Sequence, residues 1–268
     1  MISVSALIYY PIKACRGHSV DVSNVERMGL EHDRRMMVAT PEGNFLTQRE
    51  HPKLALVTPF ISGDTLTLSA PGIEHLTIDI QKTGSTHPVD IWKSKGVQAV
   101  DQGDLAATWF SDWLGTSVRL VHIAEGHLRK INEEYAVNAD DHTAFADGYP
   151  ILLASEESLN DLNSRLVESV PMNRFRPNLV VMGCEPFAED TWNRIRIGNI
   201  EMAVVKPCAR CLVTTIDKEK LEKSKEPLKT LASYRRRNGG AMFGQNVIPL
   251  NKGRLRLGMS VEILSDKE

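Results

Sequence analysis

The sequence predicts a mainly β protein with some helices (α+β), folded as a barrel or sandwich. Three features carry that reading. Short runs rich in Val, Ile, Leu and Thr recur along the 268 residues, and turn formers such as "PEGN", "SGD" and "APG" separate them. Three short stretches have helical signatures, and all lie beyond residue 100. A chain of this length makes one large domain or two small ones and buries a sizeable core.

The elements follow in order. "ISVSALIYYPIK", "RRMMVAT", "FLTQRE", "LALVTPFIS", "DTLTLSA" and "LTIDI" read as strands. "GDLAATWFSDWLGT" reads as a helix, with Asp104 as its N-cap, Gly115 as its stop, and Leu105, Trp109, Trp113 and Leu114 on its apolar face. "SVRLVHIA" returns to strand, and residues 124–147 are polar and irregular, a long loop of the kind that often carries function. "GYPILLASEESLNDLNSRL" is a strand entering a helix capped by Ser155, with Leu159, Leu162 and Leu166 on one face. "NLVVMG", "RIRIGNIEMAVVKP", "CLVTTID" and "RLRLGMSVEIL" are four more strand-like runs, and "EPLKTLASYRRRNGG" joins a short helix to a basic, glycine-ended loop. There is no internal repeat and no low-complexity linker. The natural division falls near residue 120, giving units 1–120 and 121–268.

Hydrophobic content of 42% and charged content of 25% are ordinary for a globular protein. The formal net charge of −2 speaks against a nucleic-acid polymer as partner. No run approaches the roughly 18 apolar residues of a membrane span. The opening "MISVSALIYYPIK" lacks the basic and long apolar regions of a secretory signal. Four cysteines do not make a disulfide framework here, so a reduced, cytoplasmic setting is expected.

"VVKPCARCLVTTID" at 204–217 places two of those cysteines three positions apart. Four chemistries compete for them. A redox pair should open a helix, whereas the β-branched run that follows favours a strand. A structural zinc needs more ligands, but every histidine lies at or before His142, and Cys15 and Cys184 are isolated. The thiols can also be two small buried hydrophobes. Finally, one thiolate can hold a soft metal, with Arg210 favouring the ionised form. Spacing alone leaves all four open.

Eight stretches in order resemble the MOSC-domain family, named for the C-terminal domain of molybdenum cofactor sulfurase. They are "YYPIKACRG" at 9–17, "HDRRMMV" at 32–38, "NFLTQRE" at 44–50, "FADGYPILLASEESL" at 145–159, "RFRPNLVVMGC" at 174–184, "KPCARCLVTTID" at 206–217, "EPLKTLASYR" at 226–235 and "FGQNVI" at 243–248. Within the family the likeness is to the bacterial YcbX type and the mitochondrial amidoxime-reducing component. The resemblance implies an N-terminal β-barrel-type domain, a MOSC β-barrel domain, and a molybdenum cofactor between them.

The resemblance makes Cys211 the molybdenum ligand and the catalytic residue, with Cys208 a neighbour. It assigns Lys13, Arg34, Arg176 and Arg210 to the anionic cofactor tail, which suits guanidinium and ammonium groups. Asn178 would meet the pterin edge. Gly148 and Tyr149 stand where family members touch the cofactor, Ala14 and Ala209 would contribute backbone atoms, and Asn246 would sit near the entrance. The implied reaction is reduction of small N-hydroxylated compounds (hydroxylaminopurines, amidoximes, hydroxylamines), with the N–OH oxygen leaving as water. No [2Fe–2S] cluster is expected in this chain, so electrons would come from an external flavin or iron–sulfur donor, and "SYRRRNGG" is either its docking site or a solvated loop. The rival reading is a sulfur carrier or a cofactor-binding chaperone without turnover. Associations with detoxification and with pyridoxal phosphate come with the resemblance alone.

Overall fold

The computed structural model describes residues 1–267. Its largest sheet has nine strands. The path runs from His18–Val20 through Ser3–Tyr9, Leu179–Met182, Ile151–Ser155, Gly240–Pro249, Ile200–Arg210 and Trp192–Ile197 to Val261–Asp266, and Arg236–Arg237 pairs off the Gly240–Pro249 strand. Only the Ile151–Ser155 and Leu179–Met182 pair is parallel. The far end of the path comes back to the Ser3–Tyr9 strand, leaving His18–Val20 outside the ring. Ser3 bridges Ser260, Val261 N–H donates to Ile2 O at 2.9 Å, and Gly258 N–H donates to Val4 O at 2.8 Å. The sheet therefore curls almost shut, which removes most of the exposed strand edge.

Alternation fills the inside of this ring. Val4, Leu7, Leu153, Val181, Ile195, Met202, Val247 and Val261 share one buried cluster, so every strand around the ring contributes to it. Each fully buried side chain of this kind is worth about 1.5–3 kcal/mol. Gly244, at φ +76°, is required where it stands: a Cβ there would come 2.6 Å from the Leu153 carbonyl oxygen.

The first part of the chain supplies smaller sheets. Met36–Ala39, Arg119–Ile123, Ser94–Asp101 and Thr86–Ile91 make one of four strands, and Thr58–Ser62, Thr65–Ala70 and Ile73–Asp79 make one of three. The first residues do not stay with them. Ser3–Tyr9 pairs with Leu179–Met182, and Val22–Glu26 pairs with Gly253–Arg256. Chain start and chain end are thus interleaved.

Helix α1 is Asp104–Leu114, α2 is Glu156–Ser164 and α3 is Leu228–Tyr234. Gly115 ends α1 in the left-handed conformation, as expected. Its N-cap is Gly103 and not Asp104, which is the first helical residue and favourable to the helix dipole there. The apolar face is also shifted. Leu105 is exposed, while Ala106, Trp109 and Phe110 are buried against the three-stranded sheet. Ser155 caps α2 by accepting from Ser158 N–H, and Leu162 is fully buried below it.

Two expected strands are absent. "FLTQRE" keeps one bridge, Ala39 to Phe45, and then turns. "CLVTTID" forms a 3₁₀ helix over Leu212–Thr215, with the Thr214 and Thr215 hydroxyls donating back to Cys211 O and Leu212 O. Local side-chain bonds of this kind compete with the strand preference of a β-branched run. The hairpin of Thr86–Ile91 and Ser94–Asp101 was not anticipated.

Candidate functional site

A cavity of about 870 Å³, including its open mouth, lies between segments of the first fifty residues and segments of the second half of the chain. Lys13, Ala14 and Arg34 come from the start of the chain, and Arg176, Cys208, Arg210 and Cys211 from the far half. Its wall carries five cationic side chains (Lys13, Arg34, Arg49, Arg176, Arg210) against one acidic, Asp147.

The thiols arrive on a distorted strand. Ile200–Arg210 pairs with Gly240–Pro249, but the register slips between Val204 and Lys206 and again between Pro207 and Ala209. Pro207 has no N–H for the ladder and sits at the second slip, where a bulge tolerates it. Alternation then turns Cys208 and Arg210 to the cavity and Ala209 away from it. Ala209 instead lies against the Gly240 turn, so its expected place at the cofactor is not borne by the cavity wall. Cys211 leaves the strand in an extended conformation, φ −123°, which brings its thiol back to the same cavity. Arg210 Nη1 lies 2.9 Å from Cys208 Sγ, and its Nη2 donates to Phe175 O at 2.6 Å.

The guanidinium groups form a layered stack. Arg34 and Arg176 lie on the Tyr10 ring, 4.3 Å and 4.1 Å from its centroid. Arg34 Nη1 donates to buried Asp33 at 2.7 Å and to Asn178 Oδ1 at 3.0 Å, and its Nη2 donates to Arg176 O at 3.2 Å. Burial opposes the charge on Arg34, but Asp33 outweighs it and the pKa is raised. Arg176 has no acidic contact of that kind. Burial, then Arg34, lowers its pKa. Asn178 lines the cavity with most of its amide already committed. Its Oδ1 accepts from Arg34 and from Leu152 N–H, and its Nδ2 donates to Ile8 O, so one N–H alone is left for anything in the cavity.

The Asp147 loop is nailed down. Buried Arg129 donates to the carbonyls of Ala144, Ala146 and Asp147 at 2.7, 2.6 and 3.1 Å. Asp147 does not brace its own turn. Its carboxylate pairs with Lys13 and accepts the Trp92 indole N–H at 3.0 Å. Asp147 stands open at the cavity mouth, and Lys13 and Trp92 together hold its carboxyl below the usual carboxylate range. Lys13 also donates to Phe145 O at 3.1 Å, so both partners take up its ammonium. Two of its three N–H groups are thus taken, and one is left for an anion in the cavity. Gly148 faces open space, with nothing within 4 Å of where a Cβ would stand. Tyr149 and Asn246 complete the rim, the latter donating to Lys206 O at 3.3 Å.

Three buried polar atoms on this wall have no partner: Arg176 Nη2, Arg210 Nε and Gln48 Oε1. Four wall residues other than glycine have positive φ: Ala14 (69°), Arg34 (48°), Trp92 (51°) and Arg176 (56°). Each such conformation costs about 1–3 kcal/mol and persists only where the surroundings enforce it. Orphaned donors and strain at one place mark a site shaped for a ligand. The other thiols are elsewhere. Burial pushes Cys15 up to about 12, and burial with Glu157 does the same for Cys184.

Nine of the ten residues expected to contact the cofactor, and Cys211, line this one cavity. Gln48, Arg49 and Trp92 were not anticipated. The signal for Trp92 was there in "DIWKS", a bulky aromatic at a hairpin turn where Asn or Gly is usual.

Fold and cavity together define a mainly β protein with a cationic, thiol-bearing pocket assembled from both halves of the chain. Residues 1–117 match the MOSC N-terminal beta barrel domain and residues 140–262 the MOSC domain, and the chain belongs to this family of MOSC-domain proteins. Similar proteins include mitochondrial amidoxime-reducing component 1 of Mus musculus (39% identity, 98% of this chain, 82% of that one) and of Homo sapiens (37%, 98% and 83%). Mitochondrial amidoxime reducing component 2 of Rattus norvegicus is 41% identical over 87% of this chain and 72% of its own. Among solved structures, the YUAD protein of Bacillus subtilis aligns over 97% of this chain and 94% of its own at 11% identity, with a TM-score of 0.42. The relatives are named as mitochondrial proteins, which overturns the cytoplasmic expectation. Few, unpaired cysteines report on redox conditions and not on which compartment supplies them.

Proposed function

We propose that this pocket holds the molybdenum cofactor and that the chain reduces N-hydroxylated compounds with electrons from a separate flavin or iron–sulfur donor. The names of the relatives support the reaction class, and the donor set supports the cofactor. The observation that carries the reading is Cys211 on a wall where Arg176 and Arg210 keep buried, unpartnered N–H groups. An anionic group with several acceptor oxygens fits such a wall.

When bound, the cofactor supplies the two-electron change that breaks the N–O bond. Cys211 would ligate its metal. Among the described residues no three His, Cys, Asp or Glu side chains gather to hold a metal, so the other ligands must arrive with the cofactor. Arg176, Arg210 and Lys13 would hold the anionic tail, and Gly148 leaves room for the group to pass. Asp147, kept ionised, would accept an N–H or O–H of the substrate and orient it. The division of the chain near residue 120 falls between the two matched regions, and we place the domain boundary there.

Cys211→Ser and Cys208→Ser test this, with elemental analysis and benzamidoxime reduction from an artificial donor as readouts. Cys211→Ser is expected to lose activity by 100-fold or more and most of its molybdenum, and Cys208→Ser to keep both within about threefold. Full activity in Cys211→Ser rejects the ligand assignment. Equal loss in both points to paired thiols. Bound molybdenum without turnover in the unaltered protein favours a carrier.

A further inference from the structure

The cationic pocket continues outward. A second cavity, reaching Asn44, Phe45, Glu50 and Asp90, shares Thr47, Arg49 and Trp92 with it. Together they form one trough from Cys211 to the surface, with Trp92 at the junction. Trp92 is 37% exposed, whereas Trp109 and Trp192 are buried. Its orientation is fixed on two sides. The indole N–H donates to Asp147 at 3.0 Å, and Phe45 packs edge-on at 4.7 Å between centroids. Its positive φ of 51° sits in the two-residue turn between Ile91 and Ser94, where a glycine or asparagine would be unstrained. A bulky ring held there against its backbone preference, and left open to solvent, is not explained by packing.

Arg49 lies across the ring, 5.0 Å from its centroid. Among the described residues its guanidinium makes no ion pair and no hydrogen bond, so nothing but the indole face retains it. Arg49 now covers the indole, and a planar ring entering the trough would stack on the indole as this untethered guanidinium swings aside to cover it.

We propose that Trp92 and Arg49 form the seat for the planar aromatic part of an N-hydroxylated substrate, so that this trough selects aromatic over aliphatic substrates. The proposal rests on the reductase reading for the chemistry, but the seat itself is a binding site and is testable without turnover.

Two measurements test it. In the first, benzamidoxime and acetamidoxime are compared on the loaded protein. The ratio of their kcat/KM values is expected to fall about tenfold in Trp92→Ala, through KM, and to stay within threefold of the original in Trp92→Phe, with unchanged molybdenum content. An equal loss for both substrates would mean a structural role and overturn the proposal. In the second, calorimetry follows benzamidoxime binding with no electron donor present. Affinity about tenfold weaker in Trp92→Ala, and retained in Trp92→Phe, supports the seat. Affinity unchanged in Trp92→Ala, or no binding to the unaltered protein, overturns it. Trp92-dependent binding without reduction of either substrate would uphold the seat and reject the reductase reading.

Discussion

Two buried polar clusters in this molecule are built on opposite rules. Under α2, Glu189 is fully buried, and its carboxylate accepts from the Ser155 hydroxyl at 2.9 Å and from the Ser158 hydroxyl at 2.9 and 3.1 Å. The Ser158 oxygen accepts from Phe187 N–H in turn. Nothing in that niche is left over, and its backbone hydrogen bonds lock the start of α2 to the turn at Phe187. In the cationic pocket, by contrast, two arginines and a glutamine keep buried atoms with no partner. A polar cluster completed by its own chain serves the fold. One left incomplete in the same interior awaits something else.

The contrast can be broken at each end. The largest effect on stability is expected at the complete cluster. Glu189→Ala strands two buried hydroxyls and opens a hole, and should cost about 3 kcal/mol in thermal or urea unfolding. A loss below about 1 kcal/mol would show that the niche is not structural. At the incomplete cluster the order reverses. Arg176→Met should shift stability by less than about 1 kcal/mol, since removing a buried charge that has no acidic partner offsets the loss of its Nη1 bond to Cys15 O. It should weaken pyrophosphate binding to the cofactor-free protein about tenfold, or about 1.4 kcal/mol, by calorimetry. Strong destabilisation with unchanged anion binding would make Arg176 a fold residue.

The smallest effect is at Lys218, beside the same arginines. It is half-buried, donates to Asn173 O, and is pushed down to about 6 by burial, then by Arg176, Arg174 and Arg210. A lysine with a lowered folded pKa binds its proton less well than the unfolded chain does. Stability should therefore rise with pH from about 6 toward its ordinary 10.5. Lys218→Met should flatten that rise and add about 1 kcal/mol near pH 7, discounted for the solvent that still reaches the amine. A pH–stability curve identical to the unaltered protein would remove Lys218 from the cationic group.

Much of the β framework was legible, because apolar runs such as "NLVVMG" and alternating ones such as "RIRIG" met turn residues. The failures have physical causes. Leu105 reads as core by periodicity, but α1 turns its alanines and Phe110 inward, so a leucine is left in water. "CLVTTID" has strand composition, yet the threonine hydroxyls bond back to the chain and tighten it into a 3₁₀ turn. At the site, single residues were mute. Arg176 and Arg210 become intelligible only beside Lys13 and Arg34, more than 130 positions away, and the family likeness supplied that juxtaposition. Asn178 shows the limit of such likeness. It stands at the cavity as implied, but most of its amide serves the protein's own backbone and Arg34. Trp92 lay outside the likeness, and only its strained turn exposes it.

The seam joining Ile2, Ser3 and Val4 to residues 258–261 makes the closed ring a late product of synthesis. A nascent chain carries Ser3–Tyr9 out of the ribosome early, but its strand partner begins at Leu179, and the last staves of the cask appear near Val261. Long-range pairing of this kind waits for distant partners. The cavity wall has the same spread, from Lys13 to Asn246, so no early fragment of the chain holds a finished pocket.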